Sequence, residues 1–480
     1  MKNDKKFSYS QLMTGIIVSV LLAVAGTYLV LKETQGLSSR TAQESQATLD
    51  GNLSSVEEVF NLILANYLGD VDEEELVKGA IAGMTAAIGD PYSGFYTGLD
   101  KEELDEVITG SFEGIGATMS LKNELPTISE PPIPGTPAER ARLQENDVIL
   151  KVDGVETAGK ALTDVVKKIR GEKGTEVTLT IERGGDVFDV TLVRDTVPVH
   201  SVSVDISPEN KSVGIVNVST FSQNTGKEFN KGIEELRSSG ATSFIIDLRG
   251  NPGGSLDQVL MMASRFLKDD QVILQVQDGE GKTEKITAGE DLDEGNKITE
   301  KTIVLVDRNS ASASEIFAAA LKENNRAEII GEQTFGKGTM QVVKSLSEDT
   351  ELKLTTNKWL TPDGNWLNEE GLPPSIEVAY PDYYEVRAID TANSFQLGAS
   401  GQSVESINQM LAALGYSSSE TQDQFTDETV AGVKAFQEKE KLSVTGVVDK
   451  QTANQLGIRL VEHLKANDAQ MRRALTEIAK

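Results

Sequence analysis

V-L-V-D-R-N-S-A-S-A-S-E-I-F-A-A-A-L-K-E, residues Val304 to Glu323, is followed by A-E-I-I-G-E-Q-T-F-G-K-G-T-M-Q, residues Ala327 to Gln341. Thr302 to Val306 is a β-branched, apolar run, a candidate for a buried strand. Asp307, Arg308 and Asn309 break it. The pattern then turns helical, with Ile316, Phe317, Ala320 and Leu321 on one face. A second short strand, Ala327 to Ile330, leads into a turn carrying Gly336, Lys337 and Gly338. The β-α-β order predicts an open α/β sheet.

A serine at a helix start lies beside unpaired backbone N–H groups and the positive end of the helix dipole. Such groups can hold the oxyanion formed when a carbonyl is attacked. A serine nucleophile also needs a base. The chain has only two histidines, His200 and His463. A lysine can act as the base once burial lowers its pKa. Lys337, between glycines after an apolar strand, is a candidate. If Lys337 starts an extended segment, Gln341 lies on its face, where an amide can orient the amine without adding charge. The alternative for Ser312 is a capping box, because Ser312-Ala313-Ser314-Glu315 has the S-x-x-E pattern.

Composition narrows the classes. At 480 residues the chain has room for about three domains. A net charge of −29 argues against a nucleic-acid partner, which needs a basic face. There is no cysteine, hence no disulfide and no thiolate metal site. No H-E-x-x-H or paired-histidine spacing points to zinc.

Lys2, Lys5 and Lys6 precede a charge-free stretch from Leu12 to Leu31, long enough to span a bilayer. The reading is a cytoplasmic tail 1–10, a transmembrane signal-anchor 11–31 and a tether 32–51, with the rest outside the cell. A cleaved signal peptide, cut at Ala23-Val24-Ala25, is the alternative. Residues 52–111 carry two helical patterns, Val56 to Leu68 and Leu76 to Ile88, then Asp90-Pro91-Tyr92-Ser93. Residues 112–196 read as a β-rich domain with a G-I-G-A turn, Gly114 to Ala117, whose N–H groups can converge on a carboxylate. Residues 197–384 form the α/β core. In it Asp247-Leu248-Arg249-Gly250-Asn251-Pro252-Gly253-Gly254 turns from a strand into a helix. Trp359 and Trp366 flank a turn and are read as bracing the sheet. Residues 385–400 read as a linker, 401–465 as a helical unit and 466–480 as a mobile tail.

S-A-S-A-S-E with T-F-G-K-G-T-M-Q resembles the carboxyl-terminal processing peptidases, tail-specific serine peptidases with a Ser–Lys dyad and a PDZ domain. The resemblance implies a multidomain α/β protein. Its parts are a crotonase-like core with an inserted PDZ domain, an N-terminal helical region and a C-terminal three-helix module similar to peptidoglycan-binding domains. It makes Ser312 the nucleophile, Lys337 the base and Gln341 its partner. Ala313 and either Gly253 or Gly254 become the oxyanion donors. Gly114, Ile115, Gly116 and Ala117 become the peptide-binding loop, and Arg170 the equivalent of an arginine that links peptide binding to the active site. The family's N-terminal helices can pair two subunits; a plain helical hairpin is the alternative. The function implied is cleavage of envelope or secreted proteins, recognised by their C-terminal tails, on the outer side of a bacterial, Gram-positive-type membrane. No cofactor is required. The rival readings are a non-catalytic PDZ adaptor tethered to membrane and wall, and a glycan hydrolase, for which no motif places paired carboxylates.

Overall fold

A computed structural model of the chain describes residues 53–122, 125–417 and 423–480. The expected membrane span 11–31, the alternative cleavage site and the tether 32–51 lie outside the described residues. Among the described residues, no helix is long and apolar enough to cross a membrane. The chain divides into two units, Met1–Gly89 and Asp90–Lys480.

In the first unit the described elements are a helix over residues 53–66 and the helix Glu73–Ala86. The Asp72 carboxylate caps the second by accepting the N–H groups of Glu74 and Glu75. Glu73, Glu74 and Glu75 in its first turn face the positive end of the dipole. Val56, Val59, Leu62, Tyr67, Val77 and Met84 are exposed, so much of the pair's apolar stripe is uncovered.

The second unit is built on a six-stranded sheet. Its order is Val202–Ile206, Val213–Val218, Ser243–Asp247, Lys301–Val306, Glu328–Gly331 and Ile376–Glu377, with all but the first pair parallel. Ser243 to Asp247 is buried throughout, as a parallel strand covered on both faces must be. One face carries the helices Thr225–Ser238, Leu256–Phe266 and Ala313–Glu323, with Phe229, Phe244, Phe266 and Phe317 in the core between them. The other face is covered by the helix Ala469–Ile478. Its Met471, Ala474, Leu475 and Ile478 pack on Val213, Ile245, Ile303, Leu305 and Ile330. This corrects the expected mobile tail 466–480. The spacing i, i+3, i+4, i+7 is amphipathic, and the second face of a parallel sheet needs a cover. Arg249 fixes the start of that helix by bonding Asp468 and Gln470.

A second sheet centres on Thr350–Leu360, which pairs antiparallel with Gly94–Thr97, Thr339–Ser345 and Val272–Gln277. The helix Gly98–Thr109 leads from it into the β-rich domain. There Met119–Lys122, Leu125–Ile128, Val148–Val152, Glu176–Arg183 and Asp186–Val193 form one sheet, closed by the helix Leu162–Ile169 over Ile128, Ile149, Val177 and Leu179. The C-terminal module has helices Gln402–Ala413, Asp427–Lys439 and Lys450–Ala466 around Ile407, Leu411, Phe425, Val433 and Phe436. The stretch expected as a linker, 385–400, belongs to this packing. Ile389 is buried in the module's core, and Phe395 exchanges backbone hydrogen bonds with Val448. Val386, Phe395 and Ala399 pack against the same core.

Candidate active site

Ser312 is the N-cap of the helix Ala313–Glu323, in a sparsely allowed positive-φ conformation with φ 53° and ψ −112°. A non-glycine residue held there is strained, so its surroundings must fix it. They do so through the Asp247–Gly254 turn. The Asn251 carbonyl accepts the Ala311 N–H at 3.0 Å and the Ser314 hydroxyl at 3.0 Å. The Ser310 hydroxyl donates to the Leu248 carbonyl at 2.8 Å. Gly253 lies so close that a Cβ on it would stand 2.8 Å from the Ser312 Cβ. A Cβ on Gly254, at φ 142°, would meet the Phe221 carbonyl oxygen at 2.2 Å. Only glycine fits either position. The Gly253 N–H already donates to Asn251 Oδ1 at 2.8 Å. The N–H groups of Gly254 and Ala313 have no protein acceptor among the described residues.

Glu315 does more than cap. It is fully buried, and its Oε2 accepts the N–H groups of Ser312 at 2.8 Å and Lys337 at 2.9 Å. Its Oε1 accepts the Gly336 N–H at 2.7 Å and the Thr334 hydroxyl at 2.5 Å. One carboxylate thus joins the backbone of the serine to the backbone of the lysine, two points far apart in sequence. Four donors satisfy a buried carboxylate well.

The Gly336–Gly338 turn is braced from behind. Trp359 Nε1 donates to the Lys337 carbonyl at 2.6 Å, and Trp366 Nε1 to the Gly338 carbonyl at 2.9 Å. The Lys337 side chain is left free to reach the cleft. Its amine lies 4.8 Å from the centroid of the Tyr92 ring and makes no hydrogen bond or ion pair among the described residues. Burial, and next the charge of Lys353, push its pKa down to about 8, against the pull of Asp90 and Glu315.

Ser312, Ala313, Gly253, Gly254, Lys337 and Gln341 all line one cavity of about 420 Å³. The residues that the sequence reading grouped thus share one cavity, but the contacts differ from the simplest form of that reading. No hydrogen bond joins the Ser312 hydroxyl to the Lys337 amine. Gln341 does not bond Lys337 either. Its amide donates to Thr339 Oγ1 at 3.1 Å and Thr355 Oγ1 at 3.0 Å. The strand begins at Thr339, and its pairing shifts between Met340 and Gln341, so simple alternation from Lys337 does not hold. The cavity's apolar wall includes Leu104, Val107, Ile108, Leu256, Ile316 and Met340. Lys353 also lines it. Sequence reasoning missed Lys353, Tyr92 and the helix Gly98–Thr109, because long-range pairing alone brings them to the cleft. His200 bonds Glu228 at 2.8 Å and does not line the cleft.

In the β-rich domain, Gly114, Ile115 and Gly116 are buried at the head of the fold, followed by the edge strand Met119–Lys122. Ile133 and Ala138 donate backbone hydrogen bonds to the carbonyls of Gly116 and Ile115. The proline-rich stretch Pro131-Pro132-Ile133-Pro134 therefore folds back against this loop. Arg170 pairs with Glu106 at 2.9 Å, and its guanidinium lies 4.4 Å from the Phe112 ring centroid. Glu106 is on the same helix as Leu104, Val107 and Ile108, so Arg170 holds the element that forms one wall of the cleft.

Comparison with known proteins agrees with this architecture. Residues 212–378 match peptidase family S41, residues 128–183 a PDZ domain and residues 400–456 a putative peptidoglycan-binding domain. Residues 20–102 match the N-terminal domain of the activating protease CtpB. The carboxy-terminal processing protease CtpA of Bacillus subtilis (strain 168) is 36% identical over 483 residues, covering 100% of both chains. A probable CtpA-like serine protease of Staphylococcus aureus (strain N315) is 34% identical over 465 residues, covering 97% of this chain and 91% of that one. Among solved structures, a photosystem II D1 C-terminal processing protease is 28% identical, with 66% of this chain and 85% of that chain covered and a TM-score of 0.39. The chain belongs to peptidase family S41, as a carboxy-terminal processing serine protease with an N-terminal helical region, a PDZ domain and a C-terminal peptidoglycan-binding domain.

Proposed function

We propose that this is an envelope endopeptidase in which Ser312 is the nucleophile and Lys337 the general base. The observation that carries the reading is a strained serine at a helix start facing, across one cleft, a half-buried lysine amine with no ion pair among the described residues. The neutral amine takes the proton of the Ser312 hydroxyl as oxygen attacks the scissile carbonyl. The oxyanion is received by the N–H groups of Ala313 and Gly254, the two left without an acceptor; Gly253 supports the serine instead. Lys337 then protonates the leaving amine, and water releases the acyl-enzyme by the same steps reversed. Gln341 orients Lys337 once its amide leaves Thr339 and Thr355. The geometry described is a resting one. A substrate tail in the Gly114–Ala117 loop, with the peptide added to the strand Met119–Lys122, would act through Arg170 and Glu106 on the helix beside the cleft. No step calls for a cofactor.

Location follows from the two ends. The stretch 11–31 would anchor the chain with its catalytic part outside, and the C-terminal domain would hold peptidoglycan, so substrates are envelope or secreted proteins. The uncovered apolar stripe of the N-terminal helices suits a second copy of the chain. The proposed limits are 52–111, 112–196, 197–384 and 401–465, with residues 385–400 and the helix Ala469–Ile478 packed onto their neighbours. Incubation with an unstructured protein tests the chemistry. Wild type should cut it, and folded Ser312→Ala should be slower by about 10⁴-fold or more. Equal cleavage by both would remove Ser312 from the mechanism, and no cleavage by either would leave the adaptor reading standing.

A further inference from the structure

The cleft holds a second lysine that the reaction as derived does not use. Lys353 lies on the strand Thr350–Leu360, opposite Gly94 on one side and Val343 on the other. It is half-buried and lines the same cavity as Ser312 and Lys337. Among the described residues its amine makes no hydrogen bond and no ion pair; its ring neighbour, Tyr96, is 5.8 Å away at the centroid. An ammonium shut in without a counter-ion is costly, and a methionine of similar length would fill the space without that cost. Packing alone therefore gives no reason for a lysine.

We propose that Lys353 is a positioning residue for the base: an unpaired cation placed in the cleft so that a proton on Lys337 is repelled and its amine is free when substrate arrives. This rests on the reading of Lys337 as base. The charged and titratable groups around that amine come from four directions. Asp90 and Tyr92 lie on the segment before Gly94–Thr97. Glu315 comes from the serine's helix, Glu369 lies near Tyr92, and Lys353 comes from the central strand. Asp90 and Glu315 favour a proton on Lys337, but their oxygens are already shared. Asp90 accepts from Tyr92 and Ser93, and Glu315 from four donors. Burial and Lys353 act the other way, and burial lowers Lys353 as well, against the pull of Asp90. Two half-buried amines in one cavity cannot both hold protons easily, the arrangement by which a neighbouring cation activates a lysine.

The test is kcat/KM against pH for the full chain on a fluorogenic peptide, with Lys353→Met, Lys353→Arg and Lys337→Arg. For Lys353→Met the acid limb should move up by roughly half to one pH unit. Its rate at pH 7 should fall about three- to tenfold while above pH 9 it returns to within about twofold of wild type. Lys353→Arg keeps the charge and should keep the wild-type limb. If Lys353→Met turns over too slowly to profile, the same limb is read from the pH dependence of Ser312 labelling by a fluorophosphonate. A limb that coincides with wild type in Lys353→Met overturns the inference, including when KM alone rises, which would make Lys353 a substrate contact. The two failures are separable. An active Lys337→Arg overturns the base itself; an inactive Lys337→Arg with an unmoved Lys353→Met limb overturns only the role of Lys353.

Discussion

The two walls of the cleft are finished to different degrees. The serine wall is backbone held by backbone and by one carboxylate: Asn251, Gly253 and Glu315 use nearly every donor around Ser312. The lysine wall is fixed only as far as its main chain, by Trp359, Trp366 and Glu315. Beyond that, the amines of Lys337 and Lys353 have no bonded partner among the described residues, and Gln341 is turned to Thr339 and Thr355. On the proposed mechanism, the oxyanion site is in place before substrate arrives and the proton-transfer site is still to be completed. Regulation can act on the second wall without disturbing the first.

The strongest way to break this contrast is through the group common to both walls. Glu315→Gln replaces one acceptor oxygen with an NH₂ that faces backbone N–H groups. Stability should fall by about 2–4 kcal/mol, since two buried donors lose their partner. Thermal melting checks it, and a Tm unchanged from wild type would mean that Glu315 does not hold the walls together.

A smaller effect, of opposite sign, is expected on the lysine wall. Lys337 binds its proton up to about pH 10.5 when unfolded but only to about 8 when folded. The cost of burying it is thus complete below pH 8, and wild type regains stability as pH rises from 8 towards 10.5. Lys337→Met should melt a few degrees higher at pH 7, by roughly 1–2 kcal/mol after allowing for partial exposure, and the gain should shrink above pH 8. A variant less stable than wild type at pH 7 would show that the amine has a partner it was not expected to have.

The smallest effect concerns what completes the loose wall. Substrates with amidated C-termini should be cut a few-fold more slowly than free acids, because the Gly114–Ala117 loop would lose its anion and Arg170 its signal. Equal rates would separate the PDZ domain from the cleft.

The sequence was readable where neighbours in the chain supply the chemistry. The strand, the small-residue turn and the helix start around Ser312 lie within about a dozen residues, and the motif carries its own backbone donors. Glu315 was visible as a capping partner, three residues on. Its bonds to Thr334, Gly336 and Lys337 were not, because they depend on how a second turn docks. Lys353 and Tyr92 were hidden for the same reason: the pairing of Gly94–Thr97 with Thr350–Leu360 joins segments some 250 residues apart in sequence. The C-terminal helix could have been found from its 471, 474, 475, 478 spacing, had the uncovered face of the parallel sheet been asked for its cover.

The central claim is that the loose wall delivers a neutral amine, and Lys337→Arg tests it most directly. Arginine keeps the positive charge but holds its proton to above about pH 12. The folded variant, assayed on an unstructured protein from pH 6 to 10, should lose at least about 10²-fold in kcat/KM at every pH, while wild type gains rate as pH rises through about 8. A Lys337→Arg rate within tenfold of wild type would contradict the account. Lys337 would then be an electrostatic partner only, and the base would have to be found elsewhere.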